Sequence, residues 1–138
     1  MDMIDQLKEE HRQMRLMFKD LSHLADQDSP IPIFETSVKI DRLGNLWDKH
    51  EEKEERFFKN LQQLKINFPF ERMVIEHREI RGHWRVIQKA IDSKDNNKLR
   101  IALDTDGRMF IEKLTKHMVY EEMHFDEIQP TKQHLNIN

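Results

Sequence analysis

The chain has 138 residues, which suits one domain built around one sizeable core. A hydrophobic share of 37%, a charged share of 36% and only 3 Gly and 4 Pro disfavour a β-rich fold and favour long amphipathic helices. The formal net charge of −3 supplies no field to draw nucleic acid, and the absence of cysteine removes disulfides, thiolate metal sites and thiol catalysis together.

No run of about 18 apolar residues exists to span a membrane. The first residues, MDMIDQLKEEH, lack the basic and apolar blocks of a secretory signal. A cytoplasmic protein is therefore expected. Eight histidines are an unusual number for this length.

A first helix is predicted from about Met3 to Leu24, with Asp2 as its N-cap. Its apolar stripe is Ile4, Leu7, Met14, Phe18, Leu21 and Ala25, interrupted by His11. The segment from Asp26 to Pro32 forms a loop, and Pro32 fits the first turn of a second helix. That helix runs to about Lys65, with Leu43, Trp47, Phe57, Leu61 and Leu64 on one face. Its Gly44 is a mild flaw, costing about 1 kcal/mol relative to alanine.

Asn67, Phe68 and Pro69 make the next turn. A third helix from about Phe70 to Ile91 carries Met73, Ile80, Trp84, Ile87 and Ile91 on the stripe of His77. After a polar turn at 92–96, a fourth helix runs to about Ile128, bent at Asp106 and Gly107 and stopped by Pro130. Its stripe is Leu99, Leu103, Phe110, Leu114, His117, Glu121, His124 and Ile128. Four helices with short connections predict an all-α, up-down-up-down antiparallel four-helix bundle over 1–128. Residues 129–138 are expected to form a disordered polar tail.

Each helix places one histidine on its inward stripe: His11, His50, His77 and His117. Two of these have a glutamate one turn on, giving His50-x-x-x-Glu54 and His117-x-x-x-Glu121. If the helices follow sequence order around the bundle, these two pairs sit diagonally across it. At about 1.5 Å per residue, His11 and His50 lie at nearly one level, whereas His77 and His117 differ by roughly a turn. A lone inward histidine is more often a hydrogen-bonded core residue than a ligand. Four in phase, two with glutamate, reverse that expectation, because unpaired buried charge is costly.

The donor set suits two metal ions. Four imidazoles give two nitrogens to each ion, and two carboxylates can each bridge both, about 3.5–4 Å apart. Each ion then has four protein ligands and room for an oxide or water bridge and an external ligand. Imidazole with carboxylate and no thiolate suits iron, manganese or zinc. Glu51, Glu52, Lys53, Glu55 and Arg56 read as a solvated helix face, with Glu51 the one candidate to join the site. His23 and His134 read as exposed or terminal, His83 as facing away, and His124 as a core or supporting residue. The large apolar residues around the donors would keep the site dry.

These residues resemble the hemerythrin-like superfamily, the HHE cation-binding domains. The resemblance runs from His11 to about Ile128 and includes the local sequences Glu10-His11, His50-Glu51-Glu52-Lys53-Glu54-Glu55 and Glu76-His77-Arg78. It implies a non-haem di-iron centre, oxo- or hydroxo-bridged, with His11, His50, His77 and His117 as terminal ligands and Glu54 and Glu121 bridging; zinc or manganese is the lesser expectation. The oxygen carriers of that superfamily have a fifth histidine where this chain has Arg81, and a carboxylate five residues after the last histidine, where Glu122 stands. The chain is closer to the four-histidine, two-glutamate variants, which include iron–sulfur cluster repair proteins and iron sensors. Arg81 either turns outward or approaches the site and favours an anionic ligand.

The expected function is binding or sensing of O2, NO or peroxide at this centre. The alternatives are a di-iron enzyme acting on peroxide or NO, a supplier of iron for cluster repair, or a bundle holding a redox-inert pair such as zinc. Cluster-repair members carry a further cysteine-containing segment, which this chain lacks. No feature points to a particular protein partner.

Overall fold

Asp2 opens the first helix as its sequence predicts, its side chain accepting a hydrogen bond from the Asp5 amide at 2.9 Å. The computed structural model describes residues 2–26 and 30–135, with side chains as far as Ile128. Helix α1 spans Met3–Ala25, α2 Ile33–Gln63 and α3 Phe70–Asp92. The fourth rod is composite. It consists of α4 (Asn96–Ala102), a π-helical turn (Leu103–Gly107) and α5 (Arg108–Leu135). The structure has no strand among the described residues. Helix α1 packs against α2 and α5, and α3 against the same two, so α2 and α5 are diagonal in an antiparallel four-helix bundle.

Helix ends follow local chemistry. At the end of α2 the amide of Ile66 reaches the carbonyl of Leu61 and that of Lys65 reaches Gln62, both at 3.0 Å. This is a Schellman stop, and it puts Lys65 at φ 58, a conformation usually left to glycine. Because the helix ends at Gln63, Leu64 leaves the predicted stripe and is 43% exposed. Gly44 is more than a flaw in propensity. A Cβ there would lie 3.1 Å from the Trp84 ring, so the missing side chain lets α2 close on α3.

The predicted bend near Gly107 is the π-helical turn, which holds one residue more per turn than an α-helix. At the start of the fourth rod Asn96 hydrogen-bonds both ways with Ile31, at 3.2 and 2.6 Å, closing that end of the bundle. His83 holds the turn to α3 through Asp106 at 2.9 Å.

The rod runs on to Leu135, past Pro130, where the sequence leads one to expect a stop. Proline removes one amide donor and crowds the carbonyl four residues back, which penalises one rung of the helix without ending it. The rest of the predicted tail, 136–138, lies outside the described residues, as do loop residues 27–29.

The core is divided. One apolar cluster contains Met14, Phe18, Trp47, Trp84, Phe110 and Leu114. The other contains Ile4, Leu7, Phe57, Phe68, Met73 and Phe125. His11 on α1, His50 and Glu54 on α2 and His77 on α3 lie between the two clusters in sequence; on the fourth rod Glu121 does, and His117 stands just before Met118, the last member of the first cluster. Phe125, rather than His124, continues the inward face of α5. Phe125 is fully buried, and the His124 side chain is 25% exposed against Tyr120 and Phe68. Counting four residues on from Glu121 reaches Phe125; the three-residue step to His124 points outward here.

Candidate metal centre

All six predicted donors meet in the layer between the clusters. They form two groups that share both glutamates: His11, His50, Glu54 and Glu121, and then Glu54, His77, His117 and Glu121. Within each group the potential ligand atoms all lie within 4.8 Å of one another. The Nε2 atoms of His11 and His50 are 3.0 Å apart, and those of His77 and His117 are 2.9 Å apart. The turn of mismatch read from the sequence between His77 and His117 therefore does not separate them.

Glu54 faces both halves. Its Oε1 contacts His50 Nε2 and lies 3.8 Å from His11 Nε2, while its Oε2 lies 3.3 Å from His77 Nε2. Glu121 Oε1 sits 3.3 Å from both His11 and His117. Both carboxylates are fully buried, and all four of their oxygens lack a hydrogen-bond partner among the described residues. Buried carboxylate oxygens left in this way are costly unless a cation completes them. The donor set therefore fits two bridged cations of the kind that accept nitrogen and oxygen ligands.

The back of every imidazole meets another carboxylate, one that comes from the preceding helix. Glu10 on α1 lies 2.8 Å from His50 Nδ1 on α2. Glu76 on α3 lies 2.7 Å from His117 Nδ1 on α5. At longer range, Glu51 on α2 is 3.9 Å from His77 Nδ1 on α3, and Glu122 on α5 is 3.7 Å from His11 Nδ1 on α1. The order α1, α2, α3, α5 and back to α1 closes a ring.

Each carboxylate is gripped by a cation in turn: Glu10 by Lys53, Glu51 by Arg81, Glu76 by Arg72 and Glu122 by Arg15, at 2.5, 2.9, 3.1 and 2.6 Å. A carboxylate can only accept, so each short contact fixes the proton on Nδ1 and turns the Nε2 lone pair toward the centre.

Charge follows this geometry. Burial opposes the imidazolium of His50, but Glu54 and Glu10 outweigh it and raise its pKa to about 9. His117 is likewise raised to about 9, against its burial, by Glu121, Glu54 and Glu76. His11 rises well above its ordinary value because Glu121, Glu122 and Glu54 overcome its burial. Glu54 is held well below the usual carboxylate range; His50, His11 and His77 overcome its desolvation. Glu122 falls to about 2, its burial outweighed by His11 and Arg15.

Other residues fall outside the donor layer. Glu51 does not enter it but supports His77, and Lys53 is part-buried against Glu10; both leave the solvated face on which the sequence put them. Glu52, Glu55 and Arg56 are exposed as expected, and so is His23. The side chain of His134 lies outside the described residues. Arg81 turns away from the donors toward Asp48 and Glu51, at 2.6 and 2.9 Å, with its guanidinium 3.9 Å over the Trp47 ring. Sequence reasoning missed the supporting roles of Glu10, Glu76 and Glu122. The available signal was a carboxylate next in sequence to a donor, as in Glu10-His11 and Glu76-His77.

A family model described as the hemerythrin HHE cation binding domain matches residues 2–128. Searches of curated proteins and of solved structures returned no match. Among the described residues no helix is long and apolar enough to cross a membrane.

Proposed function

The chain belongs to the hemerythrin HHE cation-binding family, and from that premise we propose that it holds two iron ions and binds or senses a small ligand such as O2, NO or peroxide. The observation that carries this reading is the sharing of Glu54 and Glu121 between two imidazole pairs, with four buried carboxylate oxygens that have no hydrogen-bond partner among the described residues. His11 and His50 would hold one ion, His77 and His117 the other, and the two glutamates would bridge them. A pair of iron ions so held supplies one-electron chemistry and open positions for a small ligand.

The chain's own residues do the rest. Glu10 and Glu76 keep the Nδ1 proton of His50 and His117, which aims Nε2 at the centre. Phe125 stacks near His11 with ring centroids 6.5 Å apart and helps keep water from that half. Trp47 and Phe110 lie in the apolar cluster on the other side of the donor layer. All four imidazoles point Nε2 into the layer, where they would hold the ions.

The test is metal analysis of the purified protein together with stopped-flow mixing of the reduced form with O2, NO and peroxide. Two irons per chain and stoichiometric, saturable ligand binding are expected. Glu54→Ala and His117→Ala should each lose most of the metal, and His83→Ala should keep it. Equal loss in all three, or catalytic consumption of peroxide or NO, would contradict the reading.

A further inference from the structure

The two halves of the donor layer differ in their access to solvent. His11, His50 and His117 are buried to 3% exposure or less, whereas the His77 side chain is 13% exposed. His77 opens onto a cavity of about 520 Å³ between α2 and α3. One edge of its ring therefore faces the donors and the other faces this space.

Beside His77, the α3 wall of the cavity is a helical stripe at four-and-three spacing, Val74, Arg78, Arg81 and Arg85. Three arginines in consecutive turns are an unusual wall for a metal centre built of neutral and anionic donors. Arg81 is occupied by Asp48 and Glu51. Arg78 and Arg85 make no ion pair or hydrogen bond among the described residues. Of the acidic groups lining the cavity, Glu51 is taken up by Arg81, which leaves Glu55 alone to face these two cations.

We propose that this cavity is the access route by which a small inorganic anion, of the size of nitrite, azide or hydroperoxide, reaches the His77–His117 half of the centre. The inference rests on the metal-centre reading and adds a ligand class and a side of approach. Guanidinium groups attract small anions through both charge and a planar fork of N–H donors. A concave, low-dielectric wall focuses that attraction and raises the rate of association. Arg81 does not take part directly; held over Trp47, it keeps Glu51 turned to His77.

The rate of azide binding to the iron-loaded protein tests the route, with NO as the neutral control. In an Arg78→Gln/Arg85→Gln double variant the azide on-rate is expected to fall about threefold at low salt, with the difference vanishing near 1 M salt. The NO on-rate should not change. Val74→Trp, which narrows the cavity at an exposed position, should slow both ligands. An unchanged azide rate in the double variant, or azide and NO slowed alike by it, overturns the proposal.

A second readout needs no iron. In the zinc-loaded protein, added nitrite should shift the Arg78 and Arg85 side-chain N–H signals saturably and leave those of exposed Arg42 and Arg56 in place. An equal drift of all four also overturns it. If neither zinc nor iron is taken up, the metal-centre reading itself has failed; metal uptake with the wrong rates or shifts removes the route alone.

Discussion

Metal affinity and the stability of the metal-free fold should move in opposite directions as pH rises from 6.5 to 9. His50 and His117 hold their protons to about 9. Coordination requires Nε2 without its proton. At pH 7 only about one molecule in a hundred has lost it at either residue. Each half of the centre contains one of these two histidines. The affinity of each half should therefore climb at least about tenfold per pH unit between 7 and 9, then level off. His11, also raised, steepens the climb in the half that it shares with His50.

For the metal-free fold the sign reverses. A histidine raised from 6.5 to about 9 stabilises the fold in full below 6.5 and loses that contribution as pH passes up through 9. At about 1.4 kcal/mol per pH unit, each contributes about 3 kcal/mol, lost across that window. Chelator competition with cobalt or zinc as probe ion, in half-unit steps of pH, measures the first effect. Urea melts of the metal-free protein over the same range measure the second. An affinity flat from pH 6.5 to 8.5, or a metal-free fold that grows more stable on alkalinisation, would refute the reasoning.

Glu10→Gln and Glu76→Gln each replace a supporting carboxylate with a neutral amide, and each should weaken metal binding by about 10- to 100-fold while leaving the helical circular-dichroism signal intact. Lys65→Gly relieves the left-handed conformation at the end of α2 and should stabilise the fold by about 1 kcal/mol in a urea melt. Phe125→Ala removes a fully buried ring stacked between Phe68 and His11, with an expected loss of about 3–5 kcal/mol in the same assay.

The convergence of the six predicted residues was legible because helical periodicity and residue type act within one element. His50 and Glu54 identify each other across a single turn, and His11, His77 and His117 each interrupt an otherwise apolar stripe. Helix starts were legible for the same local reason, as with Asp2 and Pro32. What escaped depends on two elements at once. Glu10 and Glu76 serve the histidine of the neighbouring helix, not the one beside them in sequence, so spacing alone conceals their role. The level of His117 could not be counted from the turn after α3, because counting assumes that α3 ends and the fourth rod starts at one level, and a π-helical turn also interrupts the constant rise. Gly44 looked like a weakness until Trp84 was seen against it.

The cyclic hand-off of carboxylates has a mechanical consequence. Since the order returns to its starting helix, no rod is at the end of a series. Sliding one rod lengthwise by a single pitch, about 5.4 Å, would withdraw its own imidazole and unbrace the imidazole on the next rod. Half of the nitrogen donors would be disturbed by one slip. Cation capture, as proposed, would thus act as a gauge of alignment, rejecting any assembly in which even one rod is out of step.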